Sequence, residues 1–361
     1  MEILNNIIHY FFSFIILLSV IVFVHELGHY LVAIMNKVKV ETFSIGFGKE
    51  IIGWNDKRGT RWKISLLPFG GYVKMFGEDT FSKEEIPPSL SRFAFSHKKI
   101  YQRFLIVVAG PLANFLFSII CLAIIFTMVG KSEIPPVINT IQKNSPADIV
   151  DLKKDDKILK IESKEIKHFN DIGTYIMMYQ NNNFLNFEIL RNNKILTKKI
   201  TPIYIDEEHF GQIRKIPKIG ISSYDPVIKK YTFFHSLYLG TERTYEICSL
   251  TLKGIQLLII GKGSKEDLGG PLKIVQISGK FLESGVLSFI YLIIYLSISI
   301  GLINLFPIPM LDGGHLVLYT IEFLNGKPIN KNIQEKIFKI GFVIIITLAV
   351  LLTYNDIINI F

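Results

Sequence analysis

Cysteine is almost absent from this sequence. Its 361 residues include two, Cys121 and Cys248, which form neither a disulfide framework nor a CxxC metal pair. Charge is also scarce, since 20% of the residues are charged, whereas 49% are hydrophobic and the mean hydropathy is +0.37. This composition excludes a uniformly soluble globule and is typical of a membrane protein with several apolar spans and one modest extramembrane module.

The net charge of +9 does not indicate nucleic-acid binding. Lys and Arg are spread through loops and extramembrane stretches, without a basic patch that is interleaved with aromatic residues. We therefore expect no nucleic-acid partner, and the anionic headgroups of a lipid bilayer are the favoured contact.

Four apolar runs predict transmembrane helices, at about residues 7–35, 104–129, 287–305 and 340–352. The third run continues past two prolines. The first run lacks the basic region and the cleavage site of a signal peptide, so we expect it to remain in the mature protein. The predicted fold class is a polytopic α-helical membrane protein with about four transmembrane helices.

Charge near the span ends predicts the orientation. Residues 1–35 contain no Lys or Arg, whereas basic residues are frequent in 36–103 and between the third and fourth runs. The positive-inside rule makes both connections cytoplasmic and leaves both termini and residues 130–285 outside. The outer segment is also rich in lysine, but long domains are translocated regardless of charge.

The first apolar run contains an HExxH pattern, His25-Glu26-Leu27-Gly28-His29. Residues four apart share one helix face, so both histidines can bind one metal while Glu26 acts as a general base. Between residues 3 and 35 Glu26 is the only carboxylate, and ionisable groups at membrane depth indicate function because hydrocarbon penalises them. A chance pattern would have no reason to fall in this run, and the position predicts an intramembrane metalloprotease.

A catalytic zinc site normally has three protein ligands and a water. Glu41 and Glu50 are the nearest carboxylates, but both lie in a strand-like segment. Asp312 is the better candidate, because it is the only carboxylate where Pro307 and Pro309 interrupt the third run. A proline kink followed by a glycine cap would explain the prolines and glycines, but it would not explain Asp312.

The segment that follows the first run predicts a small β element at the membrane face. Apolar and polar residues alternate over 38–45 and 61–66, and glycine-rich breaks are expected at 46–48 and 68–75. Two interpretations stay open. The element is either an amphipathic hairpin that covers a helix end, or an edge strand that pairs with an extended substrate peptide.

The outer segment predicts a compact α/β module with a helix near 171–180 and strands at 187–190 and 195–201. It resembles a PDZ domain, through Ser145-Pro146-Ala147, Asp156-Lys157-Ile158-Leu159 and Arg191. Asp151 and Asp155 stand where that family usually has glycine, which bears on peptide-carboxylate binding more than on the fold.

The whole chain resembles the site-2 protease family. The likeness covers the HExxH pattern, Gly110-Pro111-Leu112-Ala113-Asn114, the PDZ-like insert, Gly269-Gly270-Pro271 and the segment 304–313, NLFPIPMLDG. The order of these motifs is similar to the bacterial branch typified by the regulator of sigma-E protease. One PDZ-like module is expected here, whereas some members have two.

This resemblance implies that Zn²⁺ is held by His25, His29 and Asp312, and that Glu26 activates its water and protonates the departing amine. Asn304 matches a position near the substrate path, so peptide binding is expected, with a helix–helix hydrogen bond as the alternative. The second-span motif is expected to pack against the first span, with Asn114 in that contact.

The implied function is cleavage of transmembrane segments of membrane proteins, such as an anti-sigma factor or a signal-peptide remnant, in the bacterial inner membrane. The module would face the periplasmic side and bind a peptide, and the active site would face the cytoplasm. The alternatives are a catalytically inactive membrane PDZ scaffold and a membrane-bound zinc peptidase that processes soluble tails.

The expected domain plan follows from these elements. It consists of the first transmembrane helix at 1–36, the cytoplasmic β-rich segment at 37–103, the second helix at 104–130, the PDZ-like domain at 131–205, a linker with an amphipathic stretch at 206–286, the third helix with the NxxPxPxLDG motif at 287–325, and the fourth helix at 326–361. The amphipathic stretch, 233–260, is expected to lie on the outer interface and to gate access.

Overall fold

The computed structural model describes residues 2–78, 86–178, 184–209, 212–261 and 269–360. These residues form two compact units, one made of 2–123 with 237–359 and the other of 124–236.

The helices are α1 (Glu2–Met35), α2 (Ile100–Met128), α3 (Pro146–Ile149), α4 (Phe169–Met178), α5 (Phe233–Ile259), α6 (Pro271–Glu283), α7 (Val286–Asn304), α8 (Asp312–Asn325) and α9 (Lys331–Ile360). The strands are β1 (Val40–Asn55), β2 (Arg61–Met75), β3 (Lys131–Glu133), β4 (Ile138–Ile141), β5 (Lys157–Ile161), β6 (Lys164–Glu165), β7 (Leu185–Arg191), β8 (Lys194–Ile200), β9 (Ile203–His209), β10 (Gln212–Lys218), β11 (Ile221–Ser223) and β12 (Val227–Lys229).

Four described helices are long and apolar enough to cross a membrane, so the prediction of four spans is confirmed. These candidate spans are Ile8–Met35, Ile100–Met128, Val286–Asn304 and Asn332–Ile358. The fourth is much longer than the apolar run at 340–352, because α9 continues through polar residues at both ends of that run. The expected continuation of the third span past the prolines is a separate helix, α8, since proline cannot continue a helix.

Helix α1 lies at the centre of the first unit. Leu17 and Ile21 are buried against Phe289 and Leu292 of α7. On another part of α1, Gly28 has no room for a Cβ, which would overlap the backbone of Ala109 in α2. Glycine therefore permits a close crossing of α1 and α2 at the level of the HExxH pattern.

Strands β1 and β2 run through the expected glycine-rich breaks, so that expectation is wrong. The pairing of β1 with β2 contains several register shifts, and Gly46, Gly48 and Gly70 have positive φ values of 89°, 85° and 133°. Glycine adopts these angles without a steric penalty, so the strands bend at these positions and continue.

The first part of β1 lies between the two ends of β2. Residues 40–45 of β1 have partners in both 71–75 and 61–64 of β2, while residues 50–55 pair with 61–65. Residues 71–75 therefore form an edge of the element, and no other described strand pairs with that edge.

The second unit is β-rich. Strands β6, β5, β7 and β8 form one sheet in that order, and the core beneath it includes Ile158, Phe187 and Ile189. The unit ends at Ser236, beyond the boundary of 205 that was expected for the module. The reason is that two later strands pair with early ones: β11 pairs with β4, and β12 pairs with β3.

The helix expected near 171–180 is α4, and residues 179 and 180 lie outside the described part of the chain. The strands expected at 187–190 and 195–201 correspond to β7 and β8. Asp151 and Asp155 have positive φ values of 55° and 70°, the conformation that glycine favours. Aspartate tolerates that conformation better than most residues do, so the turn forms without glycine.

Candidate metal centre

One turn of α1 presents two imidazole rings to the same point. His25 and His29 are each 8% exposed, and their Nε2 atoms are 3.2 Å apart. Their rings are nearly perpendicular, with an interplanar angle of 83°. The helix itself produces this arrangement, because residues four apart lie on one face.

Asp312, the first residue of α8, joins the two histidines. Its Oδ2 lies 3.1 Å from Nε2 of His25, and its Oδ1 lies 3.6 Å from Nε2 of His29. The following residues, Gly313 and Gly314, have no space for a Cβ, which would overlap backbone atoms of the turn between α7 and α8. The two glycines let α8 begin tightly against that turn and bring Asp312 to the histidines.

These three side chains fit a zinc ion. Bonds of about 2.0–2.1 Å in tetrahedral geometry separate ligand atoms by about 3.3 Å. The two Nε2 atoms are 3.2 Å apart, and Oδ2 and Oδ1 of Asp312 lie 3.1 Å from His25 and 3.6 Å from His29. Two imidazole nitrogens and a carboxylate are ligands that zinc accepts, and three protein ligands leave one position open. The Oδ2 atom of Asp312 is buried without a hydrogen-bond partner in the described chain, as expected of an oxygen reserved for a cation.

The tautomer of His29 is set by α2. Its Nδ1 lies 2.8 Å from the backbone carbonyl oxygen of Ile106, which is an acceptor only. The Nδ1–H must therefore donate, and Nε2 is left with a free lone pair towards Asp312.

Helix α2 also leaves room for the rings. A Cβ at Gly110 would overlap the His29 ring at its Nε2 and Cε1 atoms and would contact Cε1 of His25. Only glycine leaves this space open, so the expected packing of α2 on α1 also forms one wall of the metal centre.

Glu26 faces a cavity of about 790 Å³ that the three potential ligands also line. Opposite α1 the lining includes Gly71 and Val73 of β2, and a Cβ at Gly71 would come within 3.3 Å of Cγ of Glu26. Glu26 and the edge of the β element therefore border the same cavity, beside the potential ligands.

A buried ion pair forms another part of the cavity wall. Arg103 of α2 donates to Glu322 of α8 with Nη2–Oε1 and Nη1–Oε2 distances of 2.6 and 3.2 Å, and both side chains are less than 15% exposed. The guanidinium also lies over the ring of Tyr319. This pair joins α8, and with it Asp312, to α2. Sequence reasoning missed it, although two charges at the borders of apolar runs were a usable signal.

Asn304, the last residue of α7, reaches the same place. Its Nδ2 lies 3.5 Å from Nε2 of His25, and its side chain lines the cavity. The structure thus brings together all five candidate site residues, His25, Glu26, His29, Asn304 and Asp312.

The less favoured carboxylates lie apart from this group. Glu41 forms an ion pair with Lys74, and Glu50 forms one with Arg61. Neither belongs to the cluster of potential metal ligands.

Asn114 lies in the contact between α2 and α1, as expected. Its Nδ2 is 3.3 Å from Nδ1 of His25, a partner that sequence reasoning did not identify. The signal that could have indicated this contact is a carboxamide in the middle of an apolar span, where a polar group requires a partner.

The model of peptidase family M50 matches residues 13–348. A protein of Rickettsia conorii named "Putative zinc metalloprotease" is 41% identical over 355 residues, which cover 97% of this chain and 98% of that protein. Proteins with the same descriptive name from Agrobacterium fabrum and Campylobacter jejuni are 35% and 33% identical, over 96% of this chain in each case and 95% and 93% of their own lengths.

Proposed function

We propose that this chain, which belongs to peptidase family M50 and is a zinc metalloprotease, cleaves the transmembrane segments of other membrane proteins. The observation that carries the proposal is the position of the site. His25, Glu26 and His29 all lie within the candidate span Ile8–Met35, so the peptide bond to be cut must come to membrane depth.

The ligands and the base divide the chemistry. His25, His29 and Asp312 would hold Zn²⁺, which supplies a Lewis acid that polarises the scissile carbonyl and acidifies water. Glu26 accepts the proton of the attacking water on its carboxylate and delivers it to the departing amine. The cavity beside Glu26 gives water a place in an otherwise apolar surrounding.

Substrate is proposed to bind along β2. A helical substrate must unwind before its peptide bond can be cut, and an extended segment can then pair with a sheet edge. Residues 71–75 provide such an edge, and Gly71, Val73 and Met75 line the cavity. Of the two interpretations left open by the sequence, the geometry favours the edge strand. Asn304 is proposed to bind the substrate backbone beside His25.

The membrane, the orientation in it and the type of substrate are also part of the proposal. The positive-inside pattern supports an inner-membrane protein with the active site towards the cytoplasm and residues 130–236 on the outer side. There the PDZ-like unit would bind a peptide, and α5 would gate access. Regulated intramembrane proteolysis is the proposed class of activity, with an anti-sigma factor or a signal-peptide remnant as the type of substrate.

The test uses the purified full chain and a peptide with one transmembrane segment between soluble flanks. We expect cleavage inside the apolar segment, located by mass spectrometry. The E26Q variant should be slower by about 10²–10⁴-fold, the usual contribution of a general base.

Other outcomes favour the alternatives. Cleavage only in the flanks would indicate a zinc peptidase that processes soluble tails. If no peptide bond is cut by zinc-loaded protein, whereas the residues 124–236 unit still binds peptides, a scaffold is indicated.

A further inference from the structure

Asn114 is the buried polar side chain of the metal centre that the mechanism above does not use. It is 0% exposed, and its Nδ2 faces Nδ1 of His25 at 3.3 Å. Its Oδ1 is buried with no hydrogen-bond partner among the described residues. Since the O and N atoms of a carboxamide are assigned from their contacts, either Nδ2 or Oδ1 of Asn114 can face His25.

These two orientations correspond to the two tautomers of His25. If the Asn114 amide N–H donates to Nδ1, the ring proton must sit on Nε2, which is the atom that faces Asp312 and His29. A proton there blocks metal binding. Turning the carboxamide by half a revolution exchanges Oδ1 with Nδ2, and Oδ1 then accepts from Nδ1–H while Nε2 becomes free.

Nearby contacts hold Asn114 for this purpose. Its backbone carbonyl accepts from the hydroxyl of Ser118, one turn further along α2, and from Ser297 of α7. Gly301 of α7 packs directly against its Cβ. These contacts fix the backbone and the Cβ of Asn114 and leave its carboxamide facing His25.

We infer that Asn114 is a positioning residue for the zinc site, whose carboxamide oxygen accepts from Nδ1–H of His25 and keeps Nε2 available to the metal. His29 receives the same support from the Ile106 carbonyl. One histidine is thus oriented by a backbone acceptor and the other by a side-chain acceptor. This inference rests on the proposed zinc site.

The test measures zinc affinity of the purified full chain by competition with a chromogenic chelator. N114L, which removes the acceptor but keeps the size, should weaken zinc binding by about 10–100-fold, the usual effect of losing a partner of a metal-bound histidine. N114D, which offers only acceptors, should stay close to the unaltered protein. S13A is the matched control, because it removes a buried hydroxyl of α1 that donates to the His9 carbonyl, away from Asn114 and His25, and its zinc affinity should not change.

A second readout separates positioning from structure. Nitrogen-15 spectra of histidine-labelled protein should report a proton on Nδ1 of His25 in zinc-loaded unaltered protein and N114D. Equal zinc affinities of N114L and S13A, or N114D as weak as N114L, would overturn the inference. If N114L does not fold, the affinity and the spectrum of N114D decide. Unaltered protein that binds no zinc would instead sink the proposed function itself.

Discussion

Two aspartates of this molecule, one in each unit, have opposite surroundings. Asp156 in the second unit is 1% exposed and fully bonded, with Arg191 donating from Nε at 2.7 Å and from Nη2 at 2.6 Å, and the Lys153 N–H donating at 2.8 Å. Asp312 in the first unit faces two imidazoles, and its buried Oδ2 has no hydrogen-bond partner in the described chain.

The difference separates stability from function. A buried carboxylate whose bonds are all satisfied organises its surroundings, and removing it leaves its partner charged and alone. A carboxylate whose buried oxygen has no hydrogen-bond donor is available to a cation. The four predictions below test this contrast, from the largest expected effect to the smallest.

Asp312→Asn should abolish activity while the metal-free protein folds normally. Loss of a partner of a ligand costs about 10–100-fold in metal affinity, so loss of a ligand itself should cost more than about 100-fold. Zinc content by elemental analysis and peptide cleavage measure the effect, and D156N is the control. A D312N protein that keeps one zinc per chain would contradict the assignment.

Asp156→Asn should have the reverse effect. Arg191 would be left beside a neutral amide, and breaking such a buried pair costs about 3–5 kcal/mol. We expect a lower melting temperature and faster proteolysis within residues 124–236, with unchanged zinc affinity. Weaker zinc binding in this variant would show that the contrast between the two aspartates does not hold.

Glu322→Gln tests a paired carboxylate inside the catalytic unit. The change leaves Arg103 buried without its full partner, but the pair borders the cavity, where water can compensate, so we expect a loss of about 2–3 kcal/mol. Because the pair joins α8 to α2, zinc affinity should fall together with stability. The double variant R103M/E322L, without buried charge, should recover much of the stability. If it recovers none, the ion pair is not the cause.

Asp56 lies in the turn between β1 and β2. Because of its lowered pKa, we expect the free energy of unfolding to depend slightly on pH in the acid range. Burial opposes its ionisation, but donation by Trp62, Tyr30 and the N–H groups of Thr60 and Arg58 outweighs burial and lowers its pKa from 3.8 to about 2. The carboxylate thus contributes stability above pH 4, and this contribution is lost as pH falls from about 4 to about 2.

The Asp56 contribution should be about 1–2 kcal/mol, after allowance for partial exposure. Melting temperatures of the unaltered protein and D56N between pH 6 and pH 2 provide the measurement. The melting temperatures of the two proteins should differ at pH 6 and converge at low pH. A difference that stays constant would show that ionised Asp56 does not contribute this stability.

Local patterns in the sequence predict the parts of this site that depend on one element. His25 and His29 share a helix face wherever α1 lies, and the long apolar runs correspond to four helices because hydrocarbon requires about 20 apolar residues per span. Asp312 could be predicted because a single carboxylate in an apolar segment requires a partner.

Contacts between elements could not be predicted in the same way. The role of Asn114 depends on which face of α2 meets α1, and the Arg103–Glu322 pair depends on how α8 is placed. The polar end of α9 is a further case. Asp356 is 2% exposed because its carboxylate accepts from the Gly270 and Lys273 N–H groups at the start of α6. The predicted fourth run ends at residue 352, because an apolar pattern gives no information about hydrogen-bond partners that are distant in the sequence.

The ligands of the metal come from two places in the chain that are separated by residues 30–311. Because synthesis runs from the N-terminus, both histidines are made well before Asp312. A growing chain therefore has two of the three proposed ligands and Glu26, but no third ligand. We expect the site to bind zinc tightly only after α8 has been made, so that an unfinished chain lacks the metal that its proposed chemistry requires.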